Sequence, residues 1–174
     1  LNASNPSAIT SIGSFEEGDN VNDIAIVGAT AYLATNDNAA ELRILNIANY
    51  ASPSSAGTFN DGGNENGLAI FATSTSAVFL GYVSSGNPDL DILNATNPGS
   101  VTTTGSFEVG GDVNAIYVES NIGFLATTNG GQELRIINLY APAAPVLISD
   151  VDLGDDAFDL TFNRQHVYIA DAAD

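Results

Sequence analysis

The chain has 174 residues, of which 44% are hydrophobic, and this is enough for one domain with a sizeable core. It carries 21 acidic residues against three arginines and no lysine, for a formal net charge of −18, so nucleic acid and anionic membrane surfaces are poor partners. Cysteine is absent, which excludes disulfides, thiolate metal sites and cysteine nucleophiles.

One segment occurs four times along the chain. The copies are "LNASNPSAITSIGSF" (1–15), "LNIANYASPSSAGTF" (45–59), "LNATNPGSVTTTGSF" (93–107) and the looser "INLYAPAAPVLISDV" (137–151). They are separated by steps of 44, 48 and 44 residues, and such a period is typical of a solenoid, a propeller or an array. We therefore predict a single domain over 1–174, with repeats at approximately 1–44, 45–92, 93–136 and 137–174.

Short alternating apolar runs predict the strands in chain order. The runs are rich in Ile, Val, Tyr, Phe and Thr and are bounded by Gly, Asn, Asp, Ser and Pro. The first predicted strand covers 8–15. The next twelve come in three groups of four: 21–28, 31–37, 41–47 and 54–60; 67–73, 76–83, 89–94 and 101–108; 113–118, 122–127, 132–138 and 146–152. The last two cover 157–162 and 166–170.

Four short strands in each repeat are typical of a propeller blade. The predicted fold is all-β, a β-propeller of four-stranded antiparallel blades with three complete blades plus split end strands. An immunoglobulin-like sandwich is the alternative, disfavoured because its strands do not repeat in groups of four. If the four repeats closed into a ring, about six residues would be missing between Asp174 and Leu1, and with them most of one third strand. We expect the ends to be completed by further repeats of one longer chain or by neighbouring copies.

Two stretches resemble a known repeat. "NDIAIVGATAYLATNDNAAELRILNIAN" and "NAIYVESNIGFLATTNGGQELRIINLYAP" are similar to the LVIVD repeat, a propeller-type unit of bacterial and archaeal surface and secreted proteins. The resemblance implies a propeller fold and an extracellular or cell-surface location, and it implies no catalytic residues. The chain departs from the pattern where the usual Asp after "LRIV" is Asn2, Asn46, Asn94 or Asn138, and where the second unit runs longer through "GYVSSGNPD".

A glycine followed by polar residues precedes each predicted first strand, at Gly18, Gly62, Gly110 and Gly154. Glycine with Asp or Asn is what a tight connection needs, because glycine adopts positive φ and the short side chains bond to the backbone. The functional alternative is calcium, which prefers six to eight oxygen ligands. Its candidate ligands are Asp19, Asp112, Asp155 and Asp156, with Glu16, Glu17, Asp23 or Asp159 beside them.

Asparagines recur at two further positions. Asn22, Asn66 and Asn114 begin the predicted first strands, where a propeller has its central channel, so they are candidates either for contacting a ligand or for bonding to backbone between blades. Asn2 and Asn94 lie in the triplets "NAS" and "NAT", which are glycosylation sequons, although asparagine also caps turns at this position. His166 is the only histidine, and we interpret it as a surface or packing residue.

The sequence favours a non-enzymatic, exported or cell-surface scaffold with a structural or adhesive role that self-associates into an oligomer or filament. The alternative is an extracellular binding module that holds a cation, a glycan or a peptide at the channel mouth. A propeller hydrolase is the third hypothesis, but no catalytic set is identified. No apolar run reaches the length of a membrane span, and the chain opens on Leu1 without a signal segment, which suggests a processed chain or a piece of a longer one.

Overall fold

The computed structural model describes residues 1–172 and contains 14 β-strands in four antiparallel sheets. Sheet 1 consists of β1 (Val21–Val27), β2 (Thr30–Thr35), β3 (Leu42–Asn46) and β4 (Ser54–Phe59). Sheet 2 consists of β5 (Gly67–Ser74), β6 (Ala77–Tyr82), β7 (Leu90–Asn94) and β8 (Thr102–Phe107). Sheet 3 consists of β9 (Val113–Glu119), β10 (Ile122–Thr127), β11 (Leu134–Asn138) and β12 (Val146–Val151), and sheet 4 of β13 (Ala157–Asn163) and β14 (His166–Asp171).

Each sheet is a meander in which every strand pairs with the next strand along the chain. The register between the third and fourth strands shifts at one equivalent place in the three complete sheets, namely at Ile44/Leu45, Ile92/Leu93 and Ile136/Ile137. The all-β prediction with short antiparallel strands in groups of four is confirmed. The described residues form no helix that is long and apolar enough to cross a membrane.

The sheets pack on one another in chain order. β1 contacts β5, β5 contacts β9, and β9 contacts β13, so the first strands lie side by side. An apolar cluster fills each space between successive sheets. Its buried members are Tyr32, Ile44, Ile70 and Leu80 between sheets 1 and 2, Ile92, Ile116 and Leu125 between sheets 2 and 3, and Ala126 and Leu160 between sheets 3 and 4. Strands such as β2 and β6 are buried on both faces because a sheet lies on each side of them or a chain segment covers them.

Two glycines set the close approach of a fourth strand to the following sheet, one in β4 and one in β8. A Cβ on Gly57 would lie 1.7 Å from the carbonyl oxygen of Pro98, and one on Gly105 would lie 2.1 Å from that of Pro142. Both carbonyls belong to the loop that follows a third strand. Only glycine allows the two backbones to come this close.

The predicted strand over 8–15 is wrong. Within residues 1–172 this stretch makes only an isolated bridge between Asn2 and Thr10, because the third strand beside which it would pair is not there. It still packs on sheet 1, where Phe15 contacts a small cluster that contains Leu33 and Leu45. The C-terminal end of the described chain thus forms the two strands that were predicted, whereas the N-terminal end forms none.

Apolar residues that recur at matched registers of the strands are predicted to fill the core, and most of them are buried. They are Leu33, Ile44, Ile70, Leu80, Ile92, Ile116, Val118, Leu125 and Leu160, while Leu68, Ile136 and Ile169 are half-buried. The prediction is wrong for Ile24 and Ile26, whose exposed fractions are 56% and 60%. Tyr168 has the register of the buried Tyr32 and is therefore expected in the core, but it is also exposed. The reason is the same in each case, since these residues lie on the outward faces of sheets 1 and 4, which no described sheet covers.

Replacing Leu80 by Ala is expected to lower the free energy of unfolding by about 2 to 5 kcal/mol, because the side chain is fully buried between sheets 1 and 2 and leaves a cavity. Ile24→Ala removes a similar volume from an exposed position and serves as the control, with an expected loss of under about 1 kcal/mol. Urea unfolding measures both values. Equal losses in the two variants would contradict the packing described here.

Candidate functional site

The starts of the four first strands meet around a cavity of about 310 Å³. Its lining residues come from β1, β5, β9 and β13: Asn22, Asp23, Leu68, Asn114, Ala115, Phe158 and Asp159. Because the same register position of each sheet contributes to the lining, the cavity follows from the repeat itself. It contains two of the three asparagines that the sequence singled out, Asn22 and Asn114.

The asparagine amides bond to the neighbouring first strand. Asn22 Nδ2 donates to the carbonyl oxygen of Gly67 at 2.7 Å and to Asn36 Oδ1 at 2.6 Å. Asn114 Nδ2 donates to the carbonyl oxygen of Ala157 at 2.8 Å. These bonds join sheet 1 to sheet 2 and sheet 3 to sheet 4. Asn66, the third predicted member, is not among the residues that line the cavity.

Two equivalent aspartates supply the negative charge of the cavity. Asp23 accepts from the backbone N–H of Ile24 through Oδ1 at 2.7 Å and from that of Ile70 through Oδ2 at 2.9 Å, so both of its oxygens are engaged. Asp159 accepts from the N–H of Leu160 at 2.8 Å and is exposed. The cavity therefore offers one carboxylate that is tied to backbone and one that faces solvent.

The predicted calcium ligands lie in the connections between sheets. Gly18, Gly62, Gly110 and Gly154 there have φ values of 96°, 91°, 81° and 92°, the conformation that a tight turn requires of glycine. Asp19 accepts from the N–H of Asn20, and Asp112 accepts from that of Ser84. Asp155 and Asp156 follow Gly154. Within residues 1–172, no group of three or more acidic or histidine side chains is arranged to hold a metal ion.

The sequon asparagines form turns at the surface. Asn2 Oδ1 accepts from the N–H of Ser4 at 3.0 Å, and Asn94 Oδ1 accepts from that of Thr96 at 3.0 Å. Asn46 and Asn138 make the same bond, so the turn belongs to the repeat. Both sequon asparagines are exposed. His166 is exposed as well, at the first position of β14.

Sequence reasoning missed a set of buried acids that precede the third strands. Glu41 Oε2 accepts from the N–H of Asp61 at 3.2 Å, and Glu133 Oε2 accepts from that of Leu153 at 2.8 Å. Asp89 Oδ2 accepts from Val109 and Gly110 at 3.0 and 2.7 Å. In each of the three complete sheets the acid ties the start of the third strand to the turn after the fourth. Comparison of "AELRI", "PDLDI" and "QELRI" in register would have identified the position.

Glu41, Asp61 and Asp91 lie close enough to one another to interact, at the contact between sheets 1 and 2. Burial raises the pKa of Glu41 to about 7, although the N–H of Asp61 opposes this. Burial likewise raises the pKa of Asp91 to about 6, although the Tyr82 hydroxyl donates to its Oδ2 at 3.1 Å. The charge of Asp61 adds to both increases. The first and third sheets have an arginine in place of Asp91, so this accumulation of acids occurs at one position of the repeat only.

Comparison with known proteins gives a fold and no family. No family model matches the sequence, and no curated protein is significantly similar to it. The chain is similar to the crystal structure of the computationally designed Ika4 protein, with a TM-score of 0.70 and 12% identity over 94% of this chain and 93% of that chain. A match to the Nidogen/Laminin complex has a TM-score of 0.35 and 8% identity over 83% of this chain and 68% of that chain, too low to support an argument. The likeness to Ika4 concerns the fold alone.

Removing the two buried charges is expected to flatten the pH dependence of stability. The folded protein holds protons on Glu41 and Asp91 more tightly than the unfolded chain does, so these groups lower stability as the pH rises from about 4 through 7. The wild type is therefore expected to melt at a lower temperature at pH 7.5 than at pH 5. Glu41→Gln with Asp91→Asn is expected to shrink that difference and to raise the melting temperature at pH 7.5.

Glu16→Gln is the control for this measurement, because it removes one acid at an exposed position. The melting temperature is followed by circular dichroism at constant ionic strength. If the control flattened the pH dependence as much as the double variant, general repulsion from the net charge would account for the effect and the two buried acids would not.

Proposed function

We propose that the four sheets are blades of an LVIVD-type β-propeller, and that the protein is a non-enzymatic, exported or cell-surface scaffold. In this proposal it associates with further copies of itself through its end faces, which are the uncovered faces of sheets 1 and 4. The meander of each sheet and the succession of contacts between first strands support the propeller. The resemblance of "NAIYVESNIGFLATTNGGQELRIINLYAP" to the repeat of surface and secreted proteins supports the location.

The exposed apolar face of sheet 1 is the observation that carries the proposal. Val113 and Ala157 are fully buried at the register position of Val21, which is 45% exposed. Ile116 and Val118 are buried against sheet 2 at the register positions of Ile24 and Ile26. Residues at these register positions in the later sheets pack against the preceding sheet. On sheet 1 the same kinds of residue have no described sheet to pack against. An apolar face with this origin is complementary to another sheet of the same kind.

Sheet 4 has the opposite unpartnered face. Phe158 and Tyr168 are 54% and 57% exposed there, and β14 pairs only with β13 among the described strands. An edge strand with free backbone donors and acceptors favours pairing with another strand. Natural edges are often protected by lysine, and this chain has none. The two end faces therefore supply apolar area and an open edge to an association.

Self-association is expected to increase with salt, because each copy carries a formal charge of −18 and screening reduces the repulsion between copies. Sedimentation velocity at about 0.05 and about 0.5 M NaCl measures it. Ile24→Ser with Ile26→Ser is expected to shift the distribution toward monomer by removing the apolar face of sheet 1.

Tyr140→Ser is the matched control, since Tyr140 is 83% exposed in a loop away from either end face. Its distribution is expected to equal that of the wild type. A wild-type protein that remained monomeric at both salt concentrations and at high protein concentration would contradict the proposal.

The cavity at the starts of the first strands favours the binding module as the second candidate. It combines the carboxylate of Asp159 with the ring of Phe158 and the amide of Asn114.

Calcium and glycan titrations followed by calorimetry separate the two functions. We expect no saturable heat for a scaffold, and chelator is expected to leave the melting temperature nearly unchanged. A saturable heat that Asp159→Asn removes and the exposed control Asp171→Asn retains would favour the binding module.

A further inference from the structure

One register position of the third strand holds an arginine in two sheets and an acid in the sheet between them. It holds Arg43 in β3, Asp91 in β7 and Arg135 in β11. The equivalence follows from the pairing, because each of the three is the second residue of its strand and lies opposite the second-last residue of the fourth strand. Sheet 2 thus has an anion where its two neighbours have a cation.

Both arginines bond to the chain segment that precedes their own sheet. Arg135 Nη1 donates to the carbonyl oxygen of Val109, and the guanidinium carbon lies 5.5 Å from the centre of the Phe107 ring at the end of β8. Arg43 Nε lies 2.8 Å from Glu17 Oε2. A guanidinium at this register position therefore bonds to the residue two positions beyond a preceding phenylalanine.

A cavity of about 290 Å³ lies at the equivalent place between sheets 1 and 2. Phe59 and Asp61, which line it, correspond to the Phe107 and Val109 that contact Arg135. Asp91 lines it from sheet 2. The cavity shares no lining residue with the one at the starts of the first strands. The place of a guanidinium between sheets 2 and 3 is thus open space between sheets 1 and 2.

The negative charge at this cavity has no cation beside it. Asp91 is only 8% exposed, and the hydrogen bonds within residues 1–172 engage its Oδ2 alone, through the Tyr82 hydroxyl. Asp61 Oδ1 accepts from the N–H of Gly63 at 2.9 Å. Among the described residues the ion pairs are those of Arg43, in sheet 1. A buried carboxylate without a cation is costly, and the raised pKa of Asp91 reflects its burial, with a smaller contribution from Asp61.

We infer that the cavity between sheets 1 and 2 binds a guanidinium cation, which lies against the Phe59 ring and bonds to the carboxylates of Asp91 and Asp61. A guanidinium is planar, donates two parallel bonds to a carboxylate and stacks on aromatic rings. The arginine at the equivalent place between sheets 2 and 3 favours this group over a metal ion. Further acceptors line the cavity at Asn60, Asn87, Thr103 and Ser106. The inference goes beyond the proposed scaffold function and does not rest on it.

A free guanidino compound and an arginine side chain of a partner protein offer the same group. The cavity is at the lower limit of ligand pockets, which measure about 300 to 1,000 Å³, so it suits a group the size of a side chain. Titration with N-acetylarginine methylamide and with the peptide "GGRGG" distinguishes the sources. Tighter binding of the peptide assigns the site to a partner protein, and equal binding assigns it to a free guanidino compound.

The first test is a titration of the protein with methylguanidinium, followed by the amide chemical shifts of the protein in about 0.05 M NaCl. Saturable shifts are expected at Asp61, Asn87, Asp91 and Ser106. Methylammonium has the same charge and is expected to bind at least about threefold more weakly, because it does not stack on the ring or fork to a carboxylate. Equal binding of the two cations, or shifts centred on the cavity at the starts of the first strands, would overturn the inference.

Asp91→Asn is expected to weaken the binding of methylguanidinium at least about tenfold, because it removes a charge-assisted hydrogen bond and keeps the shape of the side chain. Asp171→Asn is the control, since it removes one acid from an exposed position outside the cavity. It corrects for the general attraction of cations to a chain of net charge −18. An equal loss in both variants would overturn the inference.

Phe59→Leu tests the same site without changing its charge. It is expected to weaken the binding of methylguanidinium at least about threefold and to leave that of methylammonium nearly unchanged, because only the planar cation stacks on the ring. Thermal unfolding of each variant verifies that it is folded at the temperature of the titration. An unchanged preference for methylguanidinium in folded Phe59→Leu would contradict the assigned position of the cation.

Discussion

The burial of each sheet against the next is the interaction on which the rest of the structure depends. One repeat carries apolar side chains on both faces of its strands, so it cannot bury them alone. Sheets 2 and 3 lie between neighbours and contribute to clusters on both sides. Glycines at 57 and 105 extend the same contact to the backbone of the next loop. The end faces are consequences of this arrangement, because the two outer sheets each lack one neighbour.

The residue two positions after the end of each fourth strand, and after the equivalent Phe15, differs in charge from one sheet to the next. This position holds Glu17, Asp61, Val109 and Leu153 in turn. Glu17 is paired with Arg43, whereas Asp61 lies near Glu41 and Asp91 and adds to the increase of their pKa values. Where Leu153 occupies the position, its backbone N–H lowers the pKa of Glu133. The same hydrogen bond is thus present in the three complete sheets. Burial dominates at Glu41 and raises its pKa, whereas the backbone N–H groups dominate at Glu133 and lower its pKa.

The period, the strands and their order could be predicted from the sequence because they are local patterns that the chain repeats. The exposure of Ile24 could not be predicted, because Ile24 has the same register position as the buried Ile116. The two differ only in whether a preceding sheet packs against them. The stretch 8–15 fails for the same reason, because a strand needs a partner that its own residues do not specify. The cavity residues Asn22 and Asn114 were found by register. The acids Glu41, Asp89 and Glu133 were missed because only the acids near the recurring glycines were considered, and these three stand at the starts of the third strands.

High negative charge and unprotected edges have opposite effects on association. The formal charge of −18 keeps copies apart without regard to sequence, and it can replace the lysines that protect edge strands in other proteins. A strand of another copy that pairs with β14 must overcome this repulsion. Salt screens the charges at the surface more than the backbone hydrogen bonds of paired strands, so the balance shifts toward association as the ionic strength rises.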